Sequence, residues 1–210
     1  MRRTHVYVDG FNVYYGVAKG TAYKWLDYEA LAAALVRGHR IDSVKYFTAR
    51  LDDRNDDPQI SQRQDTYLRA LNTRHRIEIH FGHFRTRAKA VPLAKKEPDG
   101  TRTIVTALVT EEKGSDVSLG AHLVWDACRG HMETALVLSN DSDLQTPVTM
   151  AMELGIEVII VNPHRHHGQA EHLIGSDTRN LRVSHLQASQ LPDPVTDEAG
   201  RAIHKPSSWA

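Results

Sequence analysis

The sequence lacks several features that mark particular classes of protein. Its 210 residues include a single cysteine, Cys128, so no disulfide can form within the chain and a reducing compartment is expected. No apolar run approaches the roughly 20 residues that a helix needs to cross a bilayer. The first residues lead directly into an apolar strand without the hydrophobic core of a signal peptide, so we expect a cytoplasmic protein with no membrane partner.

The chain also has no excess of charge of either sign, because 26 Lys and Arg residues balance 26 Asp and Glu residues. A protein without a global basic field can bind nucleic acid only through a local basic patch, or through a metal that bridges to phosphate. No Gly-x-Gly-x-x-Gly motif follows any predicted strand, so the sequence has no dinucleotide-binding fingerprint. What remains is the composition of an ordinary globular protein long enough for one domain.

Apolar segments of strand length recur along the chain, separated by segments with helical periodicity. These predicted strands lie at residues 5–9, 44–48, 77–81, 135–138, 156–161 and 181–184. The run at 135–138 is continuously apolar, as is typical of a strand that is buried on both faces of a parallel sheet. The alternation of strands and helices therefore predicts an α/β fold with right-handed crossovers.

This alternation is interrupted between about residues 84 and 110. Two β-prone segments there flank the turn sequence Glu-Pro-Asp-Gly at residues 97–100, which predicts a β-hairpin inserted into the sheet topology. The hairpin is basic, with six cationic residues against Glu97 and Asp99. The cationic residues are Arg85, Arg87, Lys89, Lys95, Lys96 and Arg102. Two interpretations stay open: a solvated hairpin with no binding role, and an arm that steers phosphate groups.

Three segments far apart in sequence place an aspartate where a strand ends or a helix begins. Asp9 follows the first strand, Asp116 opens a helix, and Asp141 and Asp143 follow the strand at 135–138. The carboxyl ends of parallel strands lie at one edge of a sheet, where α/β folds bind ligands, so we expect these side chains to meet there. Helix capping is an alternative role for Asp9 and Asp116.

Clustered carboxylates raise one another's pKa unless a cation neutralises them. Ligation by oxygen atoms alone suits Mg²⁺ or Mn²⁺, and such ions support hydrolysis of phosphodiesters. Two other polar clusters do not predict metal sites. The aspartates within residues 52–57 do not match a known calcium loop, and His164, His166, His167 and His172 do not have zinc-ligand spacing.

Three blocks of the sequence together resemble the signature motifs of NYN domains, which are relatives of PIN nucleases. The blocks are YVDGFNVY at residues 7–14, EKGSDV at 112–117 and VLSNDSDL at 137–144, and Gly155 follows the next helix. The resemblance covers roughly residues 4–185. It implies a PIN-like three-layer α/β/α sandwich, which we expect in residues 1–188, and a metal-dependent ribonuclease that acts on RNA with Mg²⁺ or Mn²⁺. Residues 189–210 are rich in proline, charge and small residues, so we expect them to form an extended tail.

The resemblance also implies roles for individual residues. By matched motif, Asp9, Asp116, Asp141 and Asp143 would bind metal or take part in catalysis, and Asn12 would position a metal-bound water or a phosphate. Many family members have a second aspartate six residues after the one that opens the helix. Here that position is His122 and the nearest carboxylate on the helix is Asp126, so the site is expected to be one acid short. PIN-like domains are often dimers, and a homodimer is therefore allowed.

Two other functions remain open. The Asp-Gly-Phe-Asn start and the Ser-Gln-Leu-Pro segment near the end are similar to those of NADH-dependent monooxygenases of 6-hydroxy-3-succinoylpyridine. A cluster of anionic side chains would repel the pyrophosphate of NADH, and a bound chromophore would identify such an enzyme. The third possibility is a non-catalytic RNA-binding module, in which the acids hold a structural ion and the hairpin binds the RNA backbone.

Overall fold

A seven-stranded sheet runs through the centre of the computed structural model, which describes residues 1–53, 55–164 and 173–209. The strands of the sheet are β1 (Arg3–Asp9), β2 (Arg40–Ala49), β3 (Ile77–Pro92), β4 (Ile104–Lys113), β5 (Thr134–Leu138), β6 (Glu157–Asn162) and β7 (Asp177–Asn180). The helices are α1 (Gly10–Val13), α2 (Tyr28–Leu35), α3 (Ile60–Leu71), α4 (Ser115–Cys128), α5 (Gln145–Glu153) and α6 (Val183–Ala188). Among the described residues, no helix is both long and apolar enough to cross a membrane.

The side chains of the central strands alternate between two hydrophobic layers. Val8 and Leu138 pack on the side of α2, α3 and α6, whereas Tyr7 and Val137 pack on the side of α4 and α5. All five residues of β5 are buried, as predicted for a strand covered on both faces. Each large apolar side chain buried in these layers stabilises the fold by about 1.5–3 kcal/mol. The prediction of a three-layer α/β/α sandwich is confirmed.

The path of the chain reverses its direction across the sheet at β1. The strand order is β4–β3–β2–β1–β5–β6–β7, and every neighbouring pair is parallel except β3 and β4. The chain therefore builds β2 and β3 on one side of β1 and later returns to build β5 and β6 on the other. Such a reversal leaves a crevice at the carboxyl ends of the two central strands. Asp9 lies at this end of β1, next to the end of β5.

The basic hairpin is present, but it is longer than predicted and continuous with the sheet. Residues 77–82 of β3 pair with β2, and residues 83–92 continue directly into an antiparallel ladder with residues 104–113. Gly82 marks the change of partner, where a Cβ atom would lie 2.2 Å from Glu112 Oε1 and 2.7 Å from the Lys113 carbonyl oxygen. The glycine breaks the apolar alternation in the sequence without ending the strand, so the pattern predicted two elements where there is one.

The predicted last strand at residues 181–184 is wrong. The edge strand is Asp177–Asn180, and residues 183–188 form α6 instead. No residue of β7 is buried, because it is an edge strand held by backbone pairing with β6 and its polar side chains face outward. A polar strand of this kind carries no apolar pattern, so sequence periodicity pointed to the neighbouring Leu181.

The C-terminal residues pack against the α2 and α3 layer. The backbone N–H of Leu191 donates to the Trp25 carbonyl oxygen at 2.8 Å, and Trp25 Nε1–H donates to the Pro192 carbonyl oxygen at 3.0 Å. Val195 and Ile203 are buried and pair in a short antiparallel ladder, β8 (Val195–Thr196) with β9 (Ala202–Ile203). The tail thus includes a two-stranded ladder rather than extended chain alone, and its apolar side chains complete one hydrophobic layer.

Candidate metal centre

Asp9 is the innermost carboxylate at the sheet edge. It is 6% exposed, and its two oxygens accept hydrogen bonds from the Asn12 backbone N–H and the Ser139 hydroxyl, each at 2.9 Å. The first bond caps α1, so the capping role considered for Asp9 is present in addition to its place at the site. The next residue, Gly10, has no room for a side chain, because a Cβ atom there would lie 2.7 Å from the Tyr46 ring and from the Phe47 carbonyl oxygen. Close packing of β1 against β2 therefore requires glycine after Asp9.

Asp116 reaches the same edge from the first turn of α4. The turn that precedes the helix contains Gly114 in the left-handed region, with a φ of 98°. The Glu112 carboxylate accepts the Ser115 backbone N–H at 3.2 Å and its hydroxyl at 2.8 Å. Neither Ser115 nor Asp116 provides a side-chain cap, contrary to the alternative considered from the sequence. The half-buried Asp116 side chain is therefore not used to begin the helix.

Asp141 lies in the loop after β5, and Ser139 ties that loop to Asp9. The Ser139 hydroxyl donates to Asp9 and accepts the Asp141 backbone N–H at 3.1 Å. The Asp141 carboxylate in turn accepts the Asp143 backbone N–H at 3.0 Å, which begins a 3₁₀ turn at Ser142–Leu144. Ser139 was not among the predicted site residues, although its place between a buried strand and an acidic pair could have indicated it.

These three carboxylates form one cluster. Asp9, Asp116 and Asp141 each offer an oxygen atom, and these atoms all lie within 4.8 Å of one another. None of the three forms a salt bridge with a cation in the part of the chain that the structure describes. Three converging carboxylate oxygens match the oxygen ligands that Mg²⁺ and Mn²⁺ take in proteins. The donor set therefore fits a divalent cation.

The carboxyl groups of Asp9 and Asp116 have raised pKa values, as expected for clustered acids without a neighbouring cation. Burial, opposed by the hydrogen bond from Asn12 and reinforced by the charge of Asp116, raises the pKa of Asp9 from 3.8 to about 7. Burial and the charges of Asp141 and Glu112 raise the pKa of Asp116. A bound cation would reverse both effects because it favours the ionised form of each carboxyl group.

Asn12 connects the loops around the cluster. Its Oδ1 atom accepts the Asn140 backbone N–H at 3.2 Å and lies 3.2 Å from His164 Nε2. Asn12 therefore holds the loop after β5 and His164, the second residue after β6, beside Asp9. His164 was not predicted at this site, although its position just past a parallel strand was a usable signal. His166, His167 and His172 lie outside the described residues.

Asp143 is placed differently from the other predicted ligands. It is exposed and does not belong to the group of three whose oxygens converge. Its charge still contributes to the raised pKa of Asp116, and together with Asp116 it lines a surface groove between α4 and α5. Asp143 thus lies at the rim of the cluster rather than within it.

Asp126 does not replace the missing acid of the family pattern. It is 2% exposed, and its Oδ2 atom accepts the Tyr7 hydroxyl at 2.7 Å and lies 3.2 Å from His5 Nδ1. The Lys45 ammonium forms an ion pair with the same oxygen. Asp126 is therefore fully engaged under α4. His122, at the family's second acid position, lies against the His80 ring with 4.2 Å between ring centroids.

More of the positive charge of the basic hairpin is neutralised by acids within it than Glu97 and Asp99 alone would allow, because Glu111 also pairs with its cations. Glu111 lies 3.4 Å from Arg87, 2.5 Å from Lys89 and 3.3 Å from Lys113. Hydrogen bonds from Lys89 and Lys113 lower the pKa of Glu111 to about 2. Arg87 and Lys89 are thus partly satisfied within the hairpin.

The other predicted RNA-binding residues differ in their engagement. Arg102 donates to the carbonyl oxygens of residues 93 and 94, which stabilises the hairpin near its turn. Arg85, Lys95 and Lys96 form no ion pair with any residue the structure describes. These three side chains are the hairpin's available cations.

A family model for the NYN domain matches residues 3–181. The chain belongs to the NYN domain family. Membership implies a nuclease-like fold from a family related to nucleic acids, which agrees with the parallel sheet and with the acidic cluster at its carboxyl edge. The motif blocks that carry Asp9, Asp116 and Asp141 all lie within the matched range.

Two further proteins are similar to this chain. The 6-hydroxy-3-succinoylpyridine 3-monooxygenase of Pseudomonas putida (strain DSM 28022 / S16) is 31% identical, over 99% of this chain and 75% of that protein. A crystal structure of a protein of unknown function from Vibrio parahaemolyticus superposes with a TM-score of 0.53 at 15% identity, covering 90% of this chain and 96% of that one. The second likeness concerns the fold alone.

Proposed function

We propose that this NYN protein is a metal-dependent ribonuclease that hydrolyses phosphodiester bonds of RNA at the Asp9, Asp116 and Asp141 cluster. The observation that carries the proposal is the convergence of three carboxylate oxygens within 4.8 Å, without a cationic partner among the described residues. The cluster lies at the reversal point of the sheet, where α/β folds bind their ligands. Mg²⁺ and Mn²⁺ are the cations that this oxygen-only set favours.

Each residue of the cluster has a defined part in this proposal. Asp9, Asp116 and Asp141 would hold the cation, which when bound supplies Lewis acidity for attack of water on the phosphodiester. Ser139 fixes the orientation of Asp9 and of the Asp141 loop through its two hydrogen bonds. Asp143 orients Asp141 through its backbone N–H and adds negative charge at the rim.

Asn12 and the hairpin would position the RNA. Asn12 holds two loops together beside Asp9, so its amide is fixed where a phosphate or a water would be oriented. Arg85, Lys95 and Lys96 offer the hairpin's available cations to the RNA backbone, whereas Arg87, Lys89 and Arg102 contribute less because they are engaged within the hairpin. We further propose that the enzyme acts in the cytoplasm, and a homodimer remains a prediction.

Cleavage of labelled single-stranded RNA by the purified protein tests the proposal directly. We expect cutting with Mn²⁺ or Mg²⁺, none with chelator, and a loss of at least about 100-fold in Asp141→Asn, because an altered metal ligand weakens both affinity and activity. Asp177→Asn is the matched control, since this exposed aspartate lies in the edge strand and pairs only with Arg179 among the described residues. RNA left intact with every metal, or cut equally by Asp141→Asn, would overturn the proposal.

The second candidate is a monooxygenase of a hydroxypyridine substrate, favoured by the identity to the Pseudomonas enzyme over almost the whole chain. NADH consumption with 6-hydroxy-3-succinoylpyridine, together with an absorption spectrum for a bound chromophore, tests it. RNA binding that survives chelation, falls steeply with salt and leads to no cleavage would instead indicate a non-catalytic RNA-binding module.

A further inference from the structure

A cavity of about 290 Å³ lies on the α2 and α3 side of the sheet, and its lining includes Gly10 and Phe11, the two residues that follow Asp9 in sequence. Its lining comes from five different segments of the chain, and seven of the 18 lining residues are aromatic. They include Phe11, Tyr14, Tyr28, Tyr46, Tyr67 and Trp209. We call this the aromatic cavity. None of its aromatic side chains has a part in the metal chemistry proposed above.

The aromatic walls are held rigidly by one another. The Tyr28 and Tyr46 rings lie 5.2 Å apart, and the Tyr67 and Trp209 rings lie 5.7 Å apart at an interplanar angle of 67°. Tyr28, Tyr46 and Tyr67 are buried, so these walls are fixed by the core of the α2 and α3 layer. Ligand sites are concave and largely preformed, and an open space of this size against rings held by the core fits that description.

The size and the lining limit the ligand. An apolar cavity of about 150 Å³ is sufficient for benzene, and small-molecule sites begin at about 300 Å³, so the space suits a ligand with one or two rings. Aromatic side chains stack on flat rings, and every nucleobase or pyridine presents such a face. Thr48 and Gln64 also line the cavity, where Gln64 accepts the Leu51 backbone N–H and donates to the Ala49 carbonyl oxygen, each at 2.8 Å.

The charges in the lining indicate what the ring carries. Lys24 and Arg63 contribute two positive charges, and Asp57 contributes one negative charge. Arg63 pairs with Asp57, and guanidinium donors beyond that pair remain for a second acceptor. The Lys24 ammonium lies 6.0 Å from the centre of the Trp209 ring, beside the aromatic surface. The net positive charge complements an anionic group attached to the ring.

We propose that the aromatic cavity binds a planar heteroaromatic ring that carries an anionic substituent, with the ring against the partly exposed Phe11, Tyr14 and Trp209 side chains and the anion at Lys24 and Arg63. Two sources share this chemistry: a nucleotide, as the base and phosphate of an RNA strand, and a free heteroaromatic carboxylate. The binding proposal does not require that the protein be a nuclease.

Calorimetry in the presence of chelator tests the proposal without metal or cleavage. The probes are uridine 5′-monophosphate and 6-hydroxynicotinate as the two sources, with ribose 5-phosphate as an anion without the ring and uridine as a ring without the anion. We expect at least one of the first two to bind, uridine to bind more weakly, and ribose 5-phosphate not to bind. Binding of the nucleotide alone identifies a nucleic-acid base as the occupant, and binding of the pyridine alone identifies a free small molecule.

Variants locate the binding. Trp209→Ala should weaken it roughly 5- to 100-fold, as loss of one stacking partner does for nucleobases. Trp125→Ala is the matched control, because Trp125 is 59% exposed on α4, on the opposite side of the sheet. Lys24→Gln should weaken the nucleotide or the pyridine carboxylate but leave uridine unchanged. The proposal fails if neither source binds at millimolar concentration, or if Trp209→Ala binds as tightly as the unaltered protein.

The same experiment separates this proposal from the ribonuclease proposal. Asp141→Asn should lose cleavage and retain ring binding in chelator. If the unaltered protein binds the ring and leaves RNA intact with every metal, only the ribonuclease proposal fails. If it cuts RNA but no probe binds, only the cavity proposal fails.

Discussion

Helix α4 carries two aspartates that face the sheet in opposite electrostatic environments. Asp116, in its first turn, joins two other carboxylates, and burial with their charges raises its pKa. Asp126, ten residues later, is more deeply buried, yet hydrogen bonds from His5, Lys45 and Tyr7 outweigh that burial and hold its pKa well below the usual range. One helix thus holds one carboxylate that is paired with a cation and one whose charged neighbours are other carboxylates.

The contrast bears on how the acidic cluster should be interpreted. Buried polar groups in folded proteins are normally paired, and Asp126 follows that rule completely. Asp9 is nearly as buried, accepts two hydrogen bonds, and has like charges but no ion-pair partner among the residues described. Elsewhere in the part of the chain that the structure describes, the buried charges of Asp27, Lys45 and Asp126 are ion-paired, and unneutralised clusters of this kind concentrate at functional sites.

The largest effect on stability is expected from removing the charge of Asp126, the aspartate that is ion-paired with Lys45. Asp126→Asn leaves the Lys45 ammonium, whose side chain is 9% exposed, without its counterion. Removing one partner of a buried pair costs about 3–5 kcal/mol of unfolding free energy. Denaturant unfolding measures it, and Asp116→Asn is the matched comparison, for which no loss is expected. If the two variants unfold at the same denaturant concentration, the two aspartates do not differ as described.

A second prediction concerns the change in thermal stability when Mn²⁺ is added to the protein. In a site that binds Mn²⁺, metal at 100 times its dissociation constant stabilises the folded protein by about 2.7 kcal/mol. We expect this rise in thermal stability at pH 8 for the unaltered protein, where the carboxyl groups are most readily ionised, and its loss in Asp116→Asn. Asp177→Asn should keep the full rise. An equal rise in all three proteins would place the metal elsewhere.

The position of the cluster was predictable, because the carboxyl ends of neighbouring parallel strands meet whatever their side chains are. Asp9 and Asp141 follow two apolar strands, and the sheet brings those strands together as β1 and β5. The partners of Asp126 were not predictable in this way. His5, Tyr7 and Lys45 come from two strands, and only their inward orientation in the folded sheet joins them to α4.

Other differences between sequence and structure have the same origin. Strand β7 is held by backbone pairing at the sheet edge, which leaves no side-chain pattern in the sequence. Glu111 neutralises part of the hairpin because antiparallel pairing places it opposite Arg85 and near Arg87 and Lys89. Local patterns predict strands with apolar, buried side chains, whereas edge strands and the pairing of charges between elements depend on contacts and a register that the sequence does not display.

A third prediction concerns how much the ionised Asp9 carboxylate destabilises the folded protein when no metal is bound. The pKa of Asp9 is about 7 in the folded protein against its ordinary value of 3.8. Between these values the unfolded chain releases the proton that the folded protein retains, so stability falls as pH rises through this window, and the loss is complete above pH 7. Asp9→Asn should therefore stabilise the metal-free protein at pH 8 by on the order of 1–3 kcal/mol.

The pH dependence distinguishes this cause from a packing effect. The gain from Asp9→Asn should shrink towards pH 4, where the carboxyl group is protonated in the folded protein and mostly protonated in the unfolded chain. Denaturant midpoints at pH 4, 6 and 8 in chelator measure it. A gain of the same size at all three values would mean that the ionisation of Asp9 is not responsible.

The smallest effect extends the contrast between paired and unpaired charges to the cations of the hairpin. Lys89 lies 2.5 Å from Glu111, whereas Lys95 forms no ion pair with a described residue. RNA affinity falls with salt by a slope of about 0.7 for each phosphate contact to a single strand. In the non-cleaving Asp141→Asn background, adding Lys95→Gln should reduce the slope by roughly that amount, and Lys89→Gln by less, because its charge is already compensated. Affinities measured across a salt series decide the matter. Equal slopes for the two variants would show that ion pairing within the hairpin does not determine which cations contact RNA. The difference between paired and unpaired charges would then hold for the two aspartates of α4 but not for the exposed hairpin.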